Sequence, residues 1–246
     1  MNYSYSPSPH VIEKRNKAIQ WARNILANKG RYLIVDTETS GIKDDDVIVH
    51  FAVMDLDRNM IIDTQVRPTR KKRINPVAQQ MHGFSIKDLK DAPIFEKVLE
   101  QFLPMAEGKT LLSYRAIFHS QMIDQTIEQD GIARLYVGYS RFECIQEQYE
   151  AFYDRGYLAM PGRDNTGIGD CNAALDVIEE MATAETRELP QKQEVVVPQK
   201  ISKWDSENRA FGIVLTCVAI AFLFGELPVV AAGIFIWALI LFFRSK

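Results

Sequence analysis

The chain has 246 residues, of which 47% are hydrophobic and 25% charged, with a formal net charge of -3 at pH 7. This length allows one sizeable domain with appendages, and the composition is that of a globular protein. The three cysteines are an odd number without a Cys-x-x-Cys pair, which argues against a disulfide framework and against a zinc site. The net charge does not decide about nucleic acid, because binding depends on local patches.

The N-terminal segment, residues 1–30, predicts a tail followed by a basic amphipathic helix. Residues 11–28 have apolar side chains at roughly helical spacing, and Gly30 is a stop signal. Two interpretations stay open for the basic face of this helix. It either lies in solvent while the apolar face packs on the domain, or it contacts phosphates.

Residues 32–41, with the sequence YLIVDTETSG, predict a short buried strand that ends in two acids. Because strand side chains alternate with period two, Asp36 and Glu38 project from the same face. Two like charges held this close repel each other, and a hard divalent cation such as magnesium or manganese relieves the repulsion. The alternative is a solvated strand end without a metal.

Two further β-rich runs, residues 47–55 and 60–66, predict a hairpin in the same sheet. A basic loop follows directly, and a loop that leaves the sheet beside an acidic site is placed to contact a phosphate backbone. A solvated loop is the other interpretation. The candidate nucleic-acid-binding residues of this loop are Arg70, Lys71, Lys72 and Arg73.

The rest of the domain alternates between helical and extended patterns, which predicts a mixed α/β fold. A turn is expected at residues 81–84 and a strand at residues 110–114. Helices are expected at residues 94–103, 118–130, 142–153 and 169–184.

The C-terminal part predicts a linker and a membrane hairpin. Residues 185–208 are rich in Pro, Gln, Lys and Glu, and residues 209–246 hold two apolar runs that are broken by Gly225-Glu226-Leu227-Pro228. Two short helices within residues 210–243 therefore favour a transmembrane hairpin. Arg209, Arg244 and Lys246 flank it, so the positive-inside rule predicts both termini and the α/β domain in the cytoplasm. A buried soluble hairpin is the alternative.

Three stretches together resemble the DEDD superfamily of 3′-to-5′ exonucleases. They are residues 35–41 (VDTETSG), the strand that leads into residues 118–130, and the helix that opens with residues 169–175 (GDCNAAL). The resemblance covers about residues 31–184. It implies an RNase H-like mixed central sheet flanked by helices, four carboxylates that hold up to two Mg²⁺ or Mn²⁺ ions, a general base, and nucleic-acid 3′ ends as the substrate.

The chain departs from the superfamily pattern at two positions. Where the second motif has Asn-Ala-x-Phe-Asp, residues 115–119 read RAIFH, so His119 stands at the third carboxylate and Arg115 lies beside it. Asn165 stands five residues before Asp170, where the resemblance places a histidine that acts as the base. A different register makes Asp176 the last aspartate, with Cys171 in the histidine position; the string around Asp170 fits the superfamily better.

The resemblance implies a site made of Asp36, Glu38, His119, Asn165 and Asp170. Its metal ligands would be Asp36, Glu38 and Asp170, whereas the second metal position has lost a hard ligand, since imidazole suits magnesium poorly. The expected function is a membrane-anchored, metal-dependent 3′-to-5′ exonuclease with attenuated activity on DNA or RNA. The alternative is a catalytically inactive module that binds nucleic acid or acts as a scaffold at the membrane.

Overall fold

The computed structural model describes residues 7–189, which contain a mixed sheet and the helices that cover it. The strands are β1 (Tyr32–Thr39), β2 (Ile48–Met54), β3 (Met60–Gln65), β4 (Thr110–Ser113) and β5 (Phe142–Cys144). The helices are α1 (Pro9–Ala27), α2 (Pro76–His82), α3 (Phe95–Met105), α4 (Ala116–Gln129), α5 (Ile145–Tyr153) and α6 (Gly167–Thr183).

The sheet has the strand order β3-β2-β1-β4-β5, with β1 at its centre. β1 runs antiparallel to β2 and parallel to β4, while β2 and β3 are antiparallel and β4 and β5 are parallel. Every residue of β1 is buried, as expected for a strand covered on both faces. β1 therefore has β2 on one side and β4 on the other.

The two faces of the sheet form two separate cores. Ile34 and Ala52 lie on one face, in a cluster that also holds residues of α1, α5 and α6. Leu33, Val35 and Phe51 point to the other face and cluster with residues of α3 and α4. This helix-flanked mixed sheet matches the RNase H-like fold that the sequence predicted.

Helix α1 is an integral part of the first core. Most of its buried residues share a cluster with α6, and two of its basic side chains donate to backbone carbonyls at the end of α6 and just beyond it. Arg15 donates to the carbonyl oxygen of Glu185 at 2.8 Å, and Arg23 donates to that of Ala182 at 2.9 Å. For this helix the structure therefore favours packing on the domain over a phosphate-binding arm. The buried residues are Ile12, Ala18, Ile19, Ala22 and Ile25.

Two sequence predictions within the domain were correct only in part. The predicted turn at residues 81–84 is the end of α2, a helix that Asn75 caps by accepting a hydrogen bond from the Val77 amide at 2.9 Å. The predicted helix over residues 142–153 begins as β5, because residues 142–144 pair with β4 before the chain turns into α5. A three-residue strand carries too little periodicity to be distinguished from the helix that follows it.

The predicted membrane hairpin, residues 209–246, lies outside the described residues, as does most of the predicted linker. Among the helices of residues 7–189, none combines the length and the hydropathy that a bilayer span requires.

Candidate active site

Three carboxyl groups meet at the carboxyl end of β1. Asp36 and Glu38 project from one face of that strand, as the alternation of strand side chains requires. Asp170 lies in the first turn of α6, a helix that packs on β1 and β2. One ligand oxygen from each residue lies within 4.8 Å of those of the other two, and all three residues are buried. The structure thus brings together the three residues that the sequence singled out as candidate metal ligands.

A glycine lets α6 approach the sheet closely enough to deliver Asp170. A Cβ on Gly167 would lie 2.5 Å from Cε1 of His50 and 2.7 Å from Cβ of Ala52, so a larger residue would push the helix away. Thr166 caps the helix, since its hydroxyl accepts a hydrogen bond from the Gly169 amide at 3.0 Å. The position of Asp170 therefore follows from tight packing and a well-formed helix start.

Burial makes the ionised form of this cluster costly. It raises the pKa of Asp36 well above its usual range, with further contributions from the charges of Glu38 and Asp170. Burial also raises the pKa of Glu38 to about 7, against the opposing charge of Arg163, and Asp170 adds to the rise. The pKa of Asp170 is raised by burial as well, although Arg163 opposes this. The cluster therefore favours either a bound proton or a cation.

The donor set fits a hard divalent cation. The three side chains offer only carboxylate oxygens, which are the ligands that magnesium and manganese prefer. Two buried oxygens, Oδ2 of Asp36 and Oε1 of Glu38, make no hydrogen bond to the described residues. Buried polar atoms of this kind need a partner, and a cation would satisfy both.

His119 lies beside the cluster, at the start of α4. Its Nε2 is 3.7 Å from Oδ1 of Asp36, and its Nδ1 forms a 2.9 Å hydrogen bond with the Thr37 hydroxyl. Burial lowers the pKa of His119 to about 4, and the charges of Arg115 and Arg163 add to this effect. His119 is therefore neutral at physiological pH, and its contact with Asp36 is not an ion pair.

The loop before α6 wraps around Asp170. The backbone amides of Asp164 and Asn165 donate to Oδ1 of Asp170 at 3.1 and 3.0 Å, and Nε of Arg163 donates to Oδ2 at 2.9 Å. Nη2 of Arg163 also lies 3.8 Å from Oε1 of Glu38. Asn165 has a left-handed backbone conformation, with φ of 61°. Asn165 therefore contacts Asp170 through its backbone amide. It stands at the position where the resemblance implies a general base.

Asp176, the alternative last aspartate, points away from the cluster. It lies six residues further along α6, with its side chain 65% exposed, and forms an ion pair with Arg58 at 2.8 Å. Cys171, the matching alternative for the histidine position, is buried in the core under α6. The geometry therefore favours the register that ends in Asp170.

The basic loop between β3 and α2 is fastened to the chain just beyond β1. Lys72 pairs with Asp45 at 2.9 Å, and the Asn75 amide donates to the carbonyl oxygen of Ser40 at 2.7 Å. Arg70, Lys71 and Arg73 are exposed on the same loop. Three of the four predicted phosphate contacts are thus presented to solvent, whereas Lys72 already has an acidic partner.

Arg115 lies at the N-terminus of α4, four residues before His119. Its backbone is left-handed, with φ of 67°, and its guanidinium stacks on the ring of Phe118 at 5.2 Å. The side chain is exposed, and its charge contributes to the low pKa of His119. Arg115 therefore adds positive charge to the open side of the site.

Sequence reasoning missed two residues near the cluster. Arg163 belongs to an irregular loop, where no periodicity signals that it folds back on Glu38. His50 is the cross-strand partner of Glu38 in β2, and its Nε2 lies 3.0 Å from Oδ1 of Asp63. β2 is apolar apart from His50, which is a signal in the sequence. The signal points to the site only once the register of β2 against the acidic strand β1 is known.

Comparison with known proteins gives one family match within the domain. Residues 33–130 match the family model described as Exonuclease (RNase T). These residues resemble an exonuclease domain. The matched range contains Asp36, Glu38 and His119, and the structure adds Asp170 from outside it.

Curated relatives agree with this match, and solved nuclease structures are similar in fold. Over 173 residues the chain is 24% identical to "Uncharacterized exonuclease CP81" of Escherichia phage 186, covering 61% of this chain and 87% of the relative. Over 106 residues it is 26% identical to "DNA polymerase III PolC-type" of Caldanaerobacter subterraneus subsp. tengcongensis, covering 42% of this chain but 8% of the relative. A structure of the nuclease domain of 3′hExo, a DEDDh family member bound to rAMP, aligns with 15% identity, 65% and 96% coverage, and a TM-score of 0.49. The sequence matches support an exonuclease-like domain.

Proposed function

We propose that this protein is a metal-dependent 3′-to-5′ exonuclease that acts on the ends of DNA or RNA strands. The observation that carries the proposal is the buried cluster of Asp36, Glu38 and Asp170 within a domain that matches exonucleases. Structural ion-pair networks also contain buried acids, but they pair each acid with a base, whereas here two buried carboxylate oxygens lack a hydrogen-bond partner among residues 7–189.

Each group of the site has a defined part in this proposal. Asp36, Glu38 and Asp170 would hold a divalent cation, which when bound lowers the pKa of a water and neutralises charge on a phosphoryl group. The exposed cations of residues 70–73, together with Arg115, would bind the phosphates of the strand. Neutral His119 contacts Asp36 and Thr37, and it offers an imidazole nitrogen where the resemblance implies a third carboxylate.

The activity should be attenuated, because two groups of the superfamily pattern are replaced. An asparagine cannot take up a proton at position 165, and losing a general base typically costs about 10²- to 10⁴-fold in rate. The imidazole of His119 suits manganese better than magnesium. We therefore expect weak cleavage with magnesium and faster cleavage with manganese.

The test is digestion of a 3′-labelled oligonucleotide by the full-length chain, with magnesium and manganese compared. Asp36→Asn should abolish cleavage in both metals, whereas the matched control Asp91→Asn, at an exposed aspartate, should leave it unchanged. The double variant His119→Asp with Asn165→His should increase the rate. If the wild-type chain and the double variant are both inert while folded, the exonuclease proposal fails.

A second candidate function is a catalytically silent module that binds strand ends. The observation that favours it is Arg163, whose guanidinium already contacts Asp170 and Glu38. In this case the full-length chain should bind a fluorescent oligonucleotide in EDTA with the affinity that it has in manganese, as measured by anisotropy. Binding that strengthens with the metal would favour the enzyme.

We further propose that residues 210–243 attach the protein to a membrane, with the domain in the cytoplasm. The two apolar runs and the flanking arginines and lysine of the sequence support this. The full-length chain should sediment with membranes after a high-salt wash and be released by detergent. Recovery in the supernatant before detergent is added would contradict the proposal.

A further inference from the structure

Arg163 lies on the side of the carboxylate cluster where a bound cation would contact both Glu38 and Asp170. Its Nε lies 2.9 Å from Oδ2 of Asp170, and its Nη2 lies 3.8 Å from Oε1 of Glu38. The two carboxylates are 1% and 8% exposed, whereas the arginine side chain is 36% exposed. The guanidinium therefore caps the buried acids from the solvent side.

Both carboxylate oxygens of Asp170 already accept hydrogen bonds, so Arg163 and a divalent cation cannot both bind Asp170 in this arrangement. Its Oδ1 accepts the backbone amides of Asp164 and Asn165, and its Oδ2 accepts Nε of Arg163. The amides are fixed by the turn before α6, but the guanidinium ends a long, flexible side chain. Of these partners, Arg163 is the one that can leave without rebuilding the backbone.

We propose that Arg163 is the resident counter-ion of the carboxylate cluster and that a divalent cation binds by displacing it. This inference rests on the proposed function, because it assumes that the cluster binds a metal. Arg163 and the metal compete for the same charges on Glu38 and Asp170, so each weakens the binding of the other. The arginine thus sets the metal concentration at which the site becomes loaded.

The first test is titration of the full-length chain with Mn²⁺ by calorimetry. Arg163→Gln should bind Mn²⁺ about tenfold more tightly than the wild type, as expected when a partly exposed ion pair no longer has to be broken. Arg163→Lys keeps the positive charge and should stay closer to the wild type. Arg155→Gln, at an exposed arginine of the same loop, is the matched control and should leave the affinity unchanged.

A second measurement separates competition from a purely structural role. In EDTA, Arg163→Gln should unfold at a lower temperature than the wild type, because the buried carboxylates of Glu38 and Asp170 lose their counter-ion. In saturating Mn²⁺ this difference should disappear, since the metal neutralises the same groups. A structural role would give the same loss of melting temperature in both conditions.

The outcomes distinguish this proposal from the function on which it rests. If the wild type binds Mn²⁺ and Arg163→Gln binds it equally or more weakly, the counter-ion proposal is wrong and the metal-dependent function stands. If neither the wild type nor any variant binds Mn²⁺, both are wrong.

Discussion

The raised pKa of Glu38 makes the stability of the metal-free protein depend on pH. A carboxyl group with a higher pKa in the folded than in the unfolded protein binds protons more tightly when folded, so stability is lost as the pH rises through that interval. For Glu38 the interval runs from its ordinary value of 4.5 to about 7. This rise corresponds to roughly 3 kcal/mol of stability, present at pH 4 and lost by pH 8.

Replacing Glu38 with glutamine removes this loss, because the amide is close to the carboxyl group in size and carries no charge. In EDTA at pH 8 we expect Glu38→Gln to be more stable than the wild type by up to roughly 3 kcal/mol. For a domain of this size, that is a melting temperature higher by roughly 6 to 12 °C. At pH 4.5 the two proteins should melt at similar temperatures, since Glu38 is then protonated in the folded wild type.

The assay is thermal unfolding of the full-length chain from pH 4.5 to 8, in EDTA and in Mn²⁺. Glu107→Gln, at an exposed glutamate, is the matched control and should follow the wild type throughout. In Mn²⁺ the advantage of Glu38→Gln should vanish or reverse, because the variant loses a metal ligand. A difference in melting temperature between Glu38→Gln and the wild type that stays constant across this pH range would refute the reasoning.

Two further predictions follow from the packing and the register of α6. Gly167→Ala should destabilise the protein by about 1–3 kcal/mol in thermal unfolding, because its Cβ would lie 2.5 Å from a histidine of β2. Gly30→Ala, where a Cβ meets open space, is the control and should have little effect. Asp170→Asn should abolish Mn²⁺ binding while Asp176→Asn retains it; the opposite result would restore the alternative register of the last motif.

The part of the site on β1 could be predicted from the sequence by simple alternation. An apolar run that ends in Asp36-Thr37-Glu38 places both acids on one face whatever the rest of the chain does. Asp170 is different, since no local pattern distinguishes it from Asp176. The family resemblance pointed to Asp170, and the structure supports that choice because Asp176 lies exposed beside Arg58.

Other features depended on contacts that no local pattern contains. β5 has only three residues and forms by pairing with the parallel strand β4. The sequence alone predicts these residues as the start of α5, because they contain no strand period of their own. Asn75 and Pro76 are ordinary helix-start residues, but α2 has only seven residues and is too short to show a helical period. Arg163 reaches the cluster only through the path of a loop that turns at Gly162 and Asn165, both with positive φ.

The acidic cluster and its neighbours conflict with the rules that hold elsewhere in the domain. The sheet buries apolar side chains on both faces, yet at the carboxyl end of β1 it buries two acids and brings a third to them on α6. Buried like charges destabilise the fold, and conflicts of this kind are expected at functional sites. Arg163 satisfies one oxygen of Asp170 but leaves Oδ2 of Asp36 and Oε1 of Glu38 without hydrogen bonds. If Arg163 were the only cation that the cluster binds, fewer buried carboxylate oxygens would lack a hydrogen bond. The incomplete pairing is therefore an argument that the cluster is built for a cation other than its own arginine.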